Sequence, residues 1–126
     1  MPLNNQKDRK TAEQRGHSSE SLAALWLKLK GYRILERRLK TRAGEIDLVA
    51  AAPFGPVCFV EVKARGLARN AAESVTATQQ TRIARAASLY LAGRPHLSRR
   101  GARFDIIAIA PHALPVHHRD VWQPDF

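Results

Sequence analysis

The stretch GEIDLVAAAPFGPVCFVEVKAR, residues 44–65, decides the fold, because it holds two short apolar runs on either side of a turn. GEIDLVA and VCFVEVKAR are rich in the β-branched and aromatic residues that are typical of strands. The PFGP segment between them supplies proline and glycine, the usual turn residues. The stretch therefore predicts a β-hairpin, and three charged residues lie within its strands: Asp47, Glu61 and Lys63.

The alternation of side chains along a strand predicts which of these residues share a face. Asp47 and Val49 are expected on one face of the sheet, and Ile46 and Leu48 on the other face. If the turn is centred on Phe54, residue numbers of paired positions add up to 108. Asp47 is then expected to lie opposite Glu61, and Glu45 opposite Lys63, with opposed Cβ atoms roughly 4.5–5.5 Å apart.

Two opposed carboxylates in a half-buried sheet repel each other unless a cation lies between them. Mg²⁺ and Mn²⁺ prefer oxygen ligands, here Asp47, Glu61 and the backbone carbonyl of Val62, completed by water and phosphate oxygens. Lys63 is then placed to position an attacking water or to stabilise the pentavalent transition state of a phosphate. This set of residues predicts metal-dependent hydrolysis of a phosphodiester.

A purely structural interpretation of the same acids stays open. Glu45 and Lys63 fit a cross-strand ion pair, and Asp47 and Glu61 fit a solvent-facing side of the sheet. The apolar runs LVA and CFV beside the acids argue against a wholly solvated face.

Composition limits the class of protein. The 126 residues are 44% apolar and 25% charged, which is ordinary for one globular domain. The single Cys excludes an intrachain disulfide and favours a reducing compartment, here the cytoplasm. Residues 1–17 are polar and basic, so we expect a flexible tail there, neither a signal peptide nor a membrane span.

The charge balance predicts a polyanionic partner. The chain has 21 Lys and Arg against 11 Asp and Glu, a formal net charge of +10. Nucleic acid is the commonest such partner, although a ribosome, a membrane surface or a merely solubilising role would give a similar balance. The basic residues form clusters at Lys28/Lys30, Arg37/Arg38/Lys40/Arg42, Arg65/Arg69, Arg82/Arg85 and Arg99/Arg100/Arg103.

A first helix is expected from Ser18 or Ser19 to about Lys30, ended by Gly31. Apolar residues at helical spacing predict a core-facing stripe along it, made of Leu22, Leu25, Trp26 and Leu29. The side that carries residues 23, 24 and 27 is apolar too, so more than one face of the helix is expected to be covered.

The rest of the chain predicts two further strands and one further helix. YRILERRL is expected to form a strand, residues 66–74 a loop, and ARFDIIAIA the last strand. The second helix is expected to start at Thr76 or Thr78 and to end at the Gly-Arg-Pro of residues 93–95. Its expected inward side chains are Ile83, Ala86, Ala87 and Tyr90. The order α-β-β-β-α-β predicts an α/β domain over residues 18–111, with helices flanking a mixed sheet; residues 112–126 form a tail of open structure.

Five sequence blocks in this order resemble one known family. They are SSESLAALWLKLKGYRIL, GEIDLVA, FVEVKAR, QQTRI and RFDIIA, which span roughly residues 16–111. The chain resembles the YraN-like family of proposed endonucleases, which is similar to the archaeal Holliday-junction resolvases of the PD-(D/E)xK nuclease superfamily. The resemblance implies the restriction-endonuclease-like fold.

The resemblance also implies roles for particular residues. Asp47 and Glu61 match metal ligands for Mg²⁺ or Mn²⁺, and Lys63 matches the catalytic lysine. Glu20 matches a helix glutamate that reaches toward the metal site, although a favourable charge at a helix N-terminus would explain it equally. Gln80 matches a glutamine that contacts the active site or DNA. The residues expected to contact nucleic acid are Arg42, Arg65, Gln80 and Arg82.

The implied activity is cleavage of DNA, including branched or flapped DNA, by a homodimer whose two sites are related by a two-fold axis. The alternative is a nucleic-acid-binding module that keeps the fold without cutting.

Some positions depart from the family pattern. Ser19 replaces the glycine that often precedes the helix glutamate, Gln79 replaces a lysine, and Glu36-Arg37-Arg38 stands where arginine-asparagine is usual. The five histidines lack the spacing of a zinc site. Cys58 is expected to be a buried small residue, and the place of Trp122 stays open.

Overall fold

The computed structural model describes residues 18–64 and 74–124, and a five-stranded sheet lies at its centre. The elements are α1 (18–29), β1 (Arg33–Thr41), β2 (Gly44–Ala51), β3 (Val57–Lys63), α2 (Ala77–Ala92), α3 (Pro95–Ser98), β4 (Ala102–Ala108) and β5 (Val116–His118). Strands are ordered β1-β2-β3-β4-β5, with β3 and β4 parallel and the other neighbours antiparallel. The predicted mixed sheet and the order α-β-β-β-α-β are confirmed. The 1–17 tail and most of the 66–74 loop lie outside the described residues, and α3 and β5 were not predicted.

Gly31 ends α1 as the sequence predicts. It has a φ of +90°, which a residue with a Cβ rarely adopts. The N–H of Tyr32 donates to the carbonyl of Leu27 at 3.0 Å and that of Gly31 to Lys28 at 3.0 Å, the pair of hydrogen bonds that defines a Schellman motif. The chain therefore turns directly from α1 into β1.

The predicted core stripe of α1 is wrong. Leu22, Leu25 and Leu29 are 49%, 52% and 72% exposed, and Trp26 is only half-buried. The buried face is instead the one that carries residues 20, 23, 24 and 27. Small alanines at 23 and 24 let the helix lie close to the sheet, a benefit that counting large apolar residues does not reveal. The face chosen brings the carboxylate of Glu20 to the sheet.

Each face of the sheet has its own hydrophobic cluster. On the α1 side the buried residues are Ala23, Ala24, Leu27, Tyr32, Leu48, Ala50, Ala52, Cys58, Val60, Ile107 and Ile109. On the α2 side they include Ile46, Val49, Phe59, Ile83, Ala87, Tyr90, Phe104 and Trp122. The β-sheet is thus covered on both faces, as expected for an α/β sandwich. Cys58 is fully buried, as predicted.

The N-terminus of α2 is fixed by a capping box. Thr76 accepts a hydrogen bond from the backbone of Gln79, and the Gln79 side chain accepts one from the backbone of Thr76. The four predicted inward residues of α2 are buried, and Gly93 ends the helix. The sequence-based limits of α2 are therefore confirmed.

Asp105 joins the C-terminal segment to the sheet. Its carboxylate, 1% exposed, accepts two hydrogen bonds from Arg103, at 2.9 and 2.8 Å, and one from the backbone of Asp120 at 3.0 Å. The ring of His117 on β5 lies 2.8 Å away. The Nζ of Lys30, at the end of α1, lies 2.6 Å from the other ring nitrogen of His117. This cluster ties α1, β4 and β5 together.

The open question about Trp122 is answered by its ring contacts. Trp122 stacks on Phe104, with ring centroids 4.2 Å apart, and is 8% exposed. The segment after β5 therefore packs on the α2 side of the domain. Within the described part of the chain, no helix has the length and apolar character needed to cross a membrane.

Candidate active site

The ladder between β2 and β3 opens at the two acids. Its pairs run from Ala51–Val57 to Leu48–Val60, which confirms the predicted register for these residues. The ladder does not continue to the predicted pairs Asp47–Glu61 and Glu45–Lys63, so that prediction is wrong. The N–H of Val62 donates to the Oδ2 of Asp47 at 2.8 Å, so a side chain takes the donor that a continued ladder would have used.

The alternation of β2 is also broken at Asp47. Ile46 and Val49 both pack in the cluster beneath α2, whereas Leu48 packs beneath α1. The prediction that Ile46 shares a face with Leu48 is therefore wrong. Across from Asp47 in β1, Arg38 has a φ of +55°, and the paired positions on β1 and β2 skip these two residues. This irregularity turns the Asp47 carboxylate into a cleft beside α1.

The backbone of Val62 points toward the same opening. In a strand, the N–H and C=O of one residue face the same neighbour, as the exchanged bonds of an antiparallel pair show. Since the Val62 N–H reaches Asp47, its carbonyl oxygen faces the Asp47 side too. The carbonyl of Val62 therefore faces β2, and its role as a metal ligand stays a prediction.

Burial raises the pKa values of Asp47 and Glu61, so ionisation of both carboxyl groups at once is unfavourable. Burial is the largest cause that raises the pKa of Asp47, with a further rise from the charge of Glu20 that the Val62 N–H, Lys63 and Arg38 only partly offset. Burial and then the charge of Asp47 raise the pKa of Glu61 to about 7, against the lowering effect of Lys63. The opening therefore holds two mutually repelling carboxyl groups, which a cation would stabilise.

Lys63 lies beside Glu61. Its Nζ is 3.7 Å from Glu61 Oε1, and both side chains are about three-quarters buried, with 25% and 22% of their surface exposed. The expected cross-strand partner of Lys63 was Glu45, but its partner in the structure is Glu61. The lysine thus lies beside Glu61, and its catalytic role stays a prediction.

Glu20 approaches the cleft but is held by arginines. Its side chain is 8% exposed, and Oε2 accepts a hydrogen bond from Arg38 Nε at 2.9 Å. Arg37 Nε lies 3.5 Å from the other oxygen. The charge of Glu20 acts on Asp47, so the two carboxylates are near each other. Both oxygens of Glu20 nevertheless have cationic partners within this chain.

The cleft has a volume of about 380 Å³ and is bordered by both α1 and the opened strands, including Glu20, Arg38, Lys40, Asp47 and Val62. Within residues 18–64 and 74–124, no three His, Cys, Asp or Glu side chains form a group that could enclose a metal. Two carboxylates and one carbonyl are nevertheless a donor set that Mg²⁺ or Mn²⁺ accepts, since these ions keep several waters. Asp47, Glu61 and Val62 carry oxygen donors of this kind, of which Asp47 and Val62 border the cleft and Glu61 does not.

The residues expected to contact nucleic acid are dispersed. Arg42 is exposed in the turn between β1 and β2. Arg82 is exposed on α2 and lies close to Gly44: if Gly44 had a Cβ atom, it would be 3.5 Å from the Cβ of Arg82. Gln80 uses its side-chain N–H to bind the Val75 carbonyl at 3.1 Å, so it braces the start of α2. Arg65 lies outside the described residues. A groove of about 690 Å³ runs beside Arg42, bordered also by Arg85 and Ser88.

Sequence reasoning missed Arg38 as a site residue. It was counted only within a basic cluster, because strand alternation gives no sign of a left-handed backbone at one position. The one available signal was that Arg38 stands in the Glu-Arg-Arg triplet that departs from the family pattern. Its contact with Glu20 depends on the fold of α1 over β1, which spacing along the chain does not show.

Comparison with known proteins gives one consistent result. The model of the uncharacterised protein family UPF0102 matches residues 19–109. A UPF0102 protein of Paramagnetospirillum magneticum is 50% identical over 118 residues, covering 90% of this chain and 91% of the relative. One from Agrobacterium fabrum is 46% identical over 114 residues, covering 90% and 93%. One from Rhodopseudomonas palustris is 52% identical over 102 residues, covering 81% and 78%.

Proposed function

The chain belongs to the UPF0102 family, and we propose that it is an endonuclease that hydrolyses phosphodiester bonds in DNA with Mg²⁺ or Mn²⁺. The observation that carries this proposal is the pair of half-buried acids at the opening between β2 and β3. Burial raises the pKa of both acids, the charge of Asp47 raises that of Glu61 further, and Lys63 offsets only part of these rises. A purely structural ion pair between Lys63 and Glu61 would not need the carboxylate of Asp47 as well.

The metal ligands and the lysine would have different roles in this reaction. Asp47, Glu61 and the Val62 carbonyl would hold the metal, which when bound supplies a Lewis acid and lowers the pKa of water. Lys63, beside Glu61, would orient the attacking water and stabilise charge on the phosphate. The cleft beside α1 would give room for a phosphate next to Asp47 and Val62, which border it.

The charge of the chain supports a nucleic-acid substrate. The net charge is +10, and exposed arginines occur on the β1–β2 turn and on α2, at Arg42, Arg82 and Arg85. Arg42 and Arg85 border a groove of their own, separate from the cleft, and a phosphate backbone is the commonest ligand for such exposed arginines. Symmetric cutting of both strands would call for a homodimer, and the buried free thiol of Cys58 suits a reducing cytoplasm.

Calorimetric titration of Mn²⁺ tests the metal site. Wild type should bind Mn²⁺ saturably, and Asp47→Asn should bind at least about tenfold more weakly because a charged ligand is lost. Asp120→Asn is the matched control, since it makes the same chemical change at an exposed acid in the segment that follows β5. Binding that survives in Asp47→Asn would contradict the assigned ligands.

Cleavage of labelled duplex, flapped and four-way-junction DNA tests the activity. Wild type should cut at least one of these with Mn²⁺, and Asp47→Asn and Lys63→Met should not, while Asp120→Asn should cut normally. The rival function is a nucleic-acid-binding module that does not cut. Salt-dependent binding that ignores Mn²⁺ and Asp47, with no cleavage of any substrate, would establish the rival instead.

A further inference from the structure

Arg38 has a backbone conformation that is unusual for a strand residue. Its φ is +55°, a region in which residues other than Gly, Asn and Asp are rarely found. Its neighbours Arg37 and Leu39 pair with Leu48 and Ile46, so on β1 this break in the ladder is confined to Arg38, apart from a separate register shift between Ile34 and Glu36. Strained residues of this kind persist where the surroundings fix them, and they are concentrated at functional sites.

The strained backbone presents a guanidinium beside the acids. Arg38 borders the same cleft as Asp47, and its charge acts on the Asp47 carboxylate. Arg38 Nε donates to Glu20, but its Nη1 and Nη2 atoms have no hydrogen-bond partner among the described residues. The side chain is 50% exposed, so these N–H donors are open to a ligand.

We propose that Arg38 binds a phosphate of the nucleic-acid backbone next to Asp47, and that Glu20 is a positioning residue that orients the Arg38 guanidinium. This inference rests on the proposed function. Arginine is suited to the task, since its planar fork matches two phosphate oxygens and stays charged at any working pH. Glu20 fixes the fork by its bond to Nε and leaves the terminal nitrogens free.

This assignment replaces the role that family resemblance implies for Glu20. Arg38 and Arg37 lie 2.9 and 3.5 Å from the two oxygens of Glu20, so a metal ion at this carboxylate would have to compete with two cationic side chains. No group of three acids suited to a metal occurs in the described ranges 18–64 and 74–124. Glu20 therefore acts on the phosphate through Arg38, and the metal depends on Asp47 and Glu61.

Binding of fluorescein-labelled duplex and four-way-junction DNA, without divalent metal, tests the role of Arg38. Arg38→Asn removes the guanidinium, and Asn accepts a positive φ, so the backbone is not further strained. We expect about 10- to 100-fold weaker binding, the loss typical of a charge-assisted hydrogen bond. The slope of log K against log salt should fall by about 1. Arg38→Lys keeps the charge and should keep the slope while still binding more weakly.

Arg33→Gln is the matched control, because it removes one exposed arginine from the same edge strand, away from the cleft. It should weaken binding by less than about threefold. If Arg38→Asn binds DNA as well as Arg33→Gln does, the assignment of Arg38 is overturned. Failure of wild type to bind any DNA overturns this inference and the proposed function together.

Glu20→Gln separates positioning from metal binding. Removing the negative charge of Glu20 should by itself tighten DNA binding. Loss of the fixed Arg38 orientation should weaken DNA binding several-fold, and because we propose that this effect is the larger one, we expect weaker binding. Mn²⁺ affinity, measured by calorimetry, should stay within about twofold of wild type. Tighter DNA binding, or loss of Mn²⁺ binding, overturns the positioning role while leaving the Asp47 test of the proposed function untouched.

Discussion

The Asp105 cluster should make the stability of the domain sensitive to acid. Burial alone would raise the pKa of Asp105, but hydrogen bonds from His117, Arg103 and the Asp120 backbone, with the Arg103 charge, lower it from 3.8 to about 2. A drop of about 1.8 pH units corresponds to roughly 2.4 kcal/mol of folding free energy at neutral pH. Because the folded-state pKa is the lower one, this stability is present above pH 4 and is lost as the pH falls through 2.

Comparison of wild type with Asp105→Asn measures this contribution. The difference between the unfolding free energies of wild type and Asp105→Asn should decrease by about 1.1 kcal/mol from pH 5 to pH 3. Near pH 2 it should have lost most of the roughly 2.4 kcal/mol. At pH 7 the gap should reach at least about 2.4 kcal/mol, since Asn also leaves the Arg103 charge unpaired.

Urea unfolding followed by circular dichroism at pH 7, 5, 4 and 3 gives the required free energies. Asp120→Asn is the control, because its side chain is exposed and only its backbone N–H contacts Asp105. A wild-type to Asp105→Asn gap that stays constant over this range would refute the reasoning, since it would mean that Asp105 titrates alike in the folded and unfolded chain.

Three further predictions follow from packing. Leu27→Ala should lower the free energy of unfolding by about 2–5 kcal/mol, because Leu27 is fully buried. Leu25→Ala should change it by less than about 0.5 kcal/mol, and equal effects in urea unfolding would contradict the assigned helix face. Trp122→Ala should cost about 3–5 kcal/mol through loss of the stack on Phe104, and it should reduce the near-ultraviolet circular dichroism signal; an unchanged melting curve would argue against that packing. Cys58 should resist a thiol reagent at pH 8 until urea is added, because burial and the Asp105 charge raise its pKa to about 12; rapid labelling of the folded protein would contradict this.

The sequence predicts those parts of the fold that depend on local signals. The Schellman end at Gly31, the Thr76 cap and the β2–β3 register all follow from residue types whose effects act within a few positions. The strand β5 was missed, since three residues are too few to show an alternating pattern. The buried face of α1 was also misassigned, because close approach to the sheet favours Ala23 and Ala24 over the larger leucines.

The sequence predicts which residues of β2 and β3 lie near one another at the candidate site, but it predicts neither the contribution of Arg38 nor the geometry. Asp47, Glu61, Val62 and Lys63 do meet near the opening of the β2–β3 ladder. Ideal alternation would have paired the two acids directly, and it could not show that Asp47 would take the N–H of Val62. The turn of the Asp47 side chain depends on the left-handed residue opposite it, Arg38, and no periodic pattern encodes such a break.

The parallel pairing of β3 with β4 has a consequence for folding kinetics. The strands β1, β2 and β3 follow one another along the chain, whereas paired residues such as Cys58 and Arg103 are separated by 45 positions. Closing that long loop costs chain entropy before the contacts between β3 and β4 can stabilise the chain, so this step is slow. The three-stranded meander β1-β2-β3 should therefore be ordered in the folding transition state before β4 docks. A destabilising change at Phe104 should therefore mainly speed unfolding, while one at Leu48 should mainly slow folding. The strands that carry Asp47 and Glu61 would therefore be paired before β4 docks.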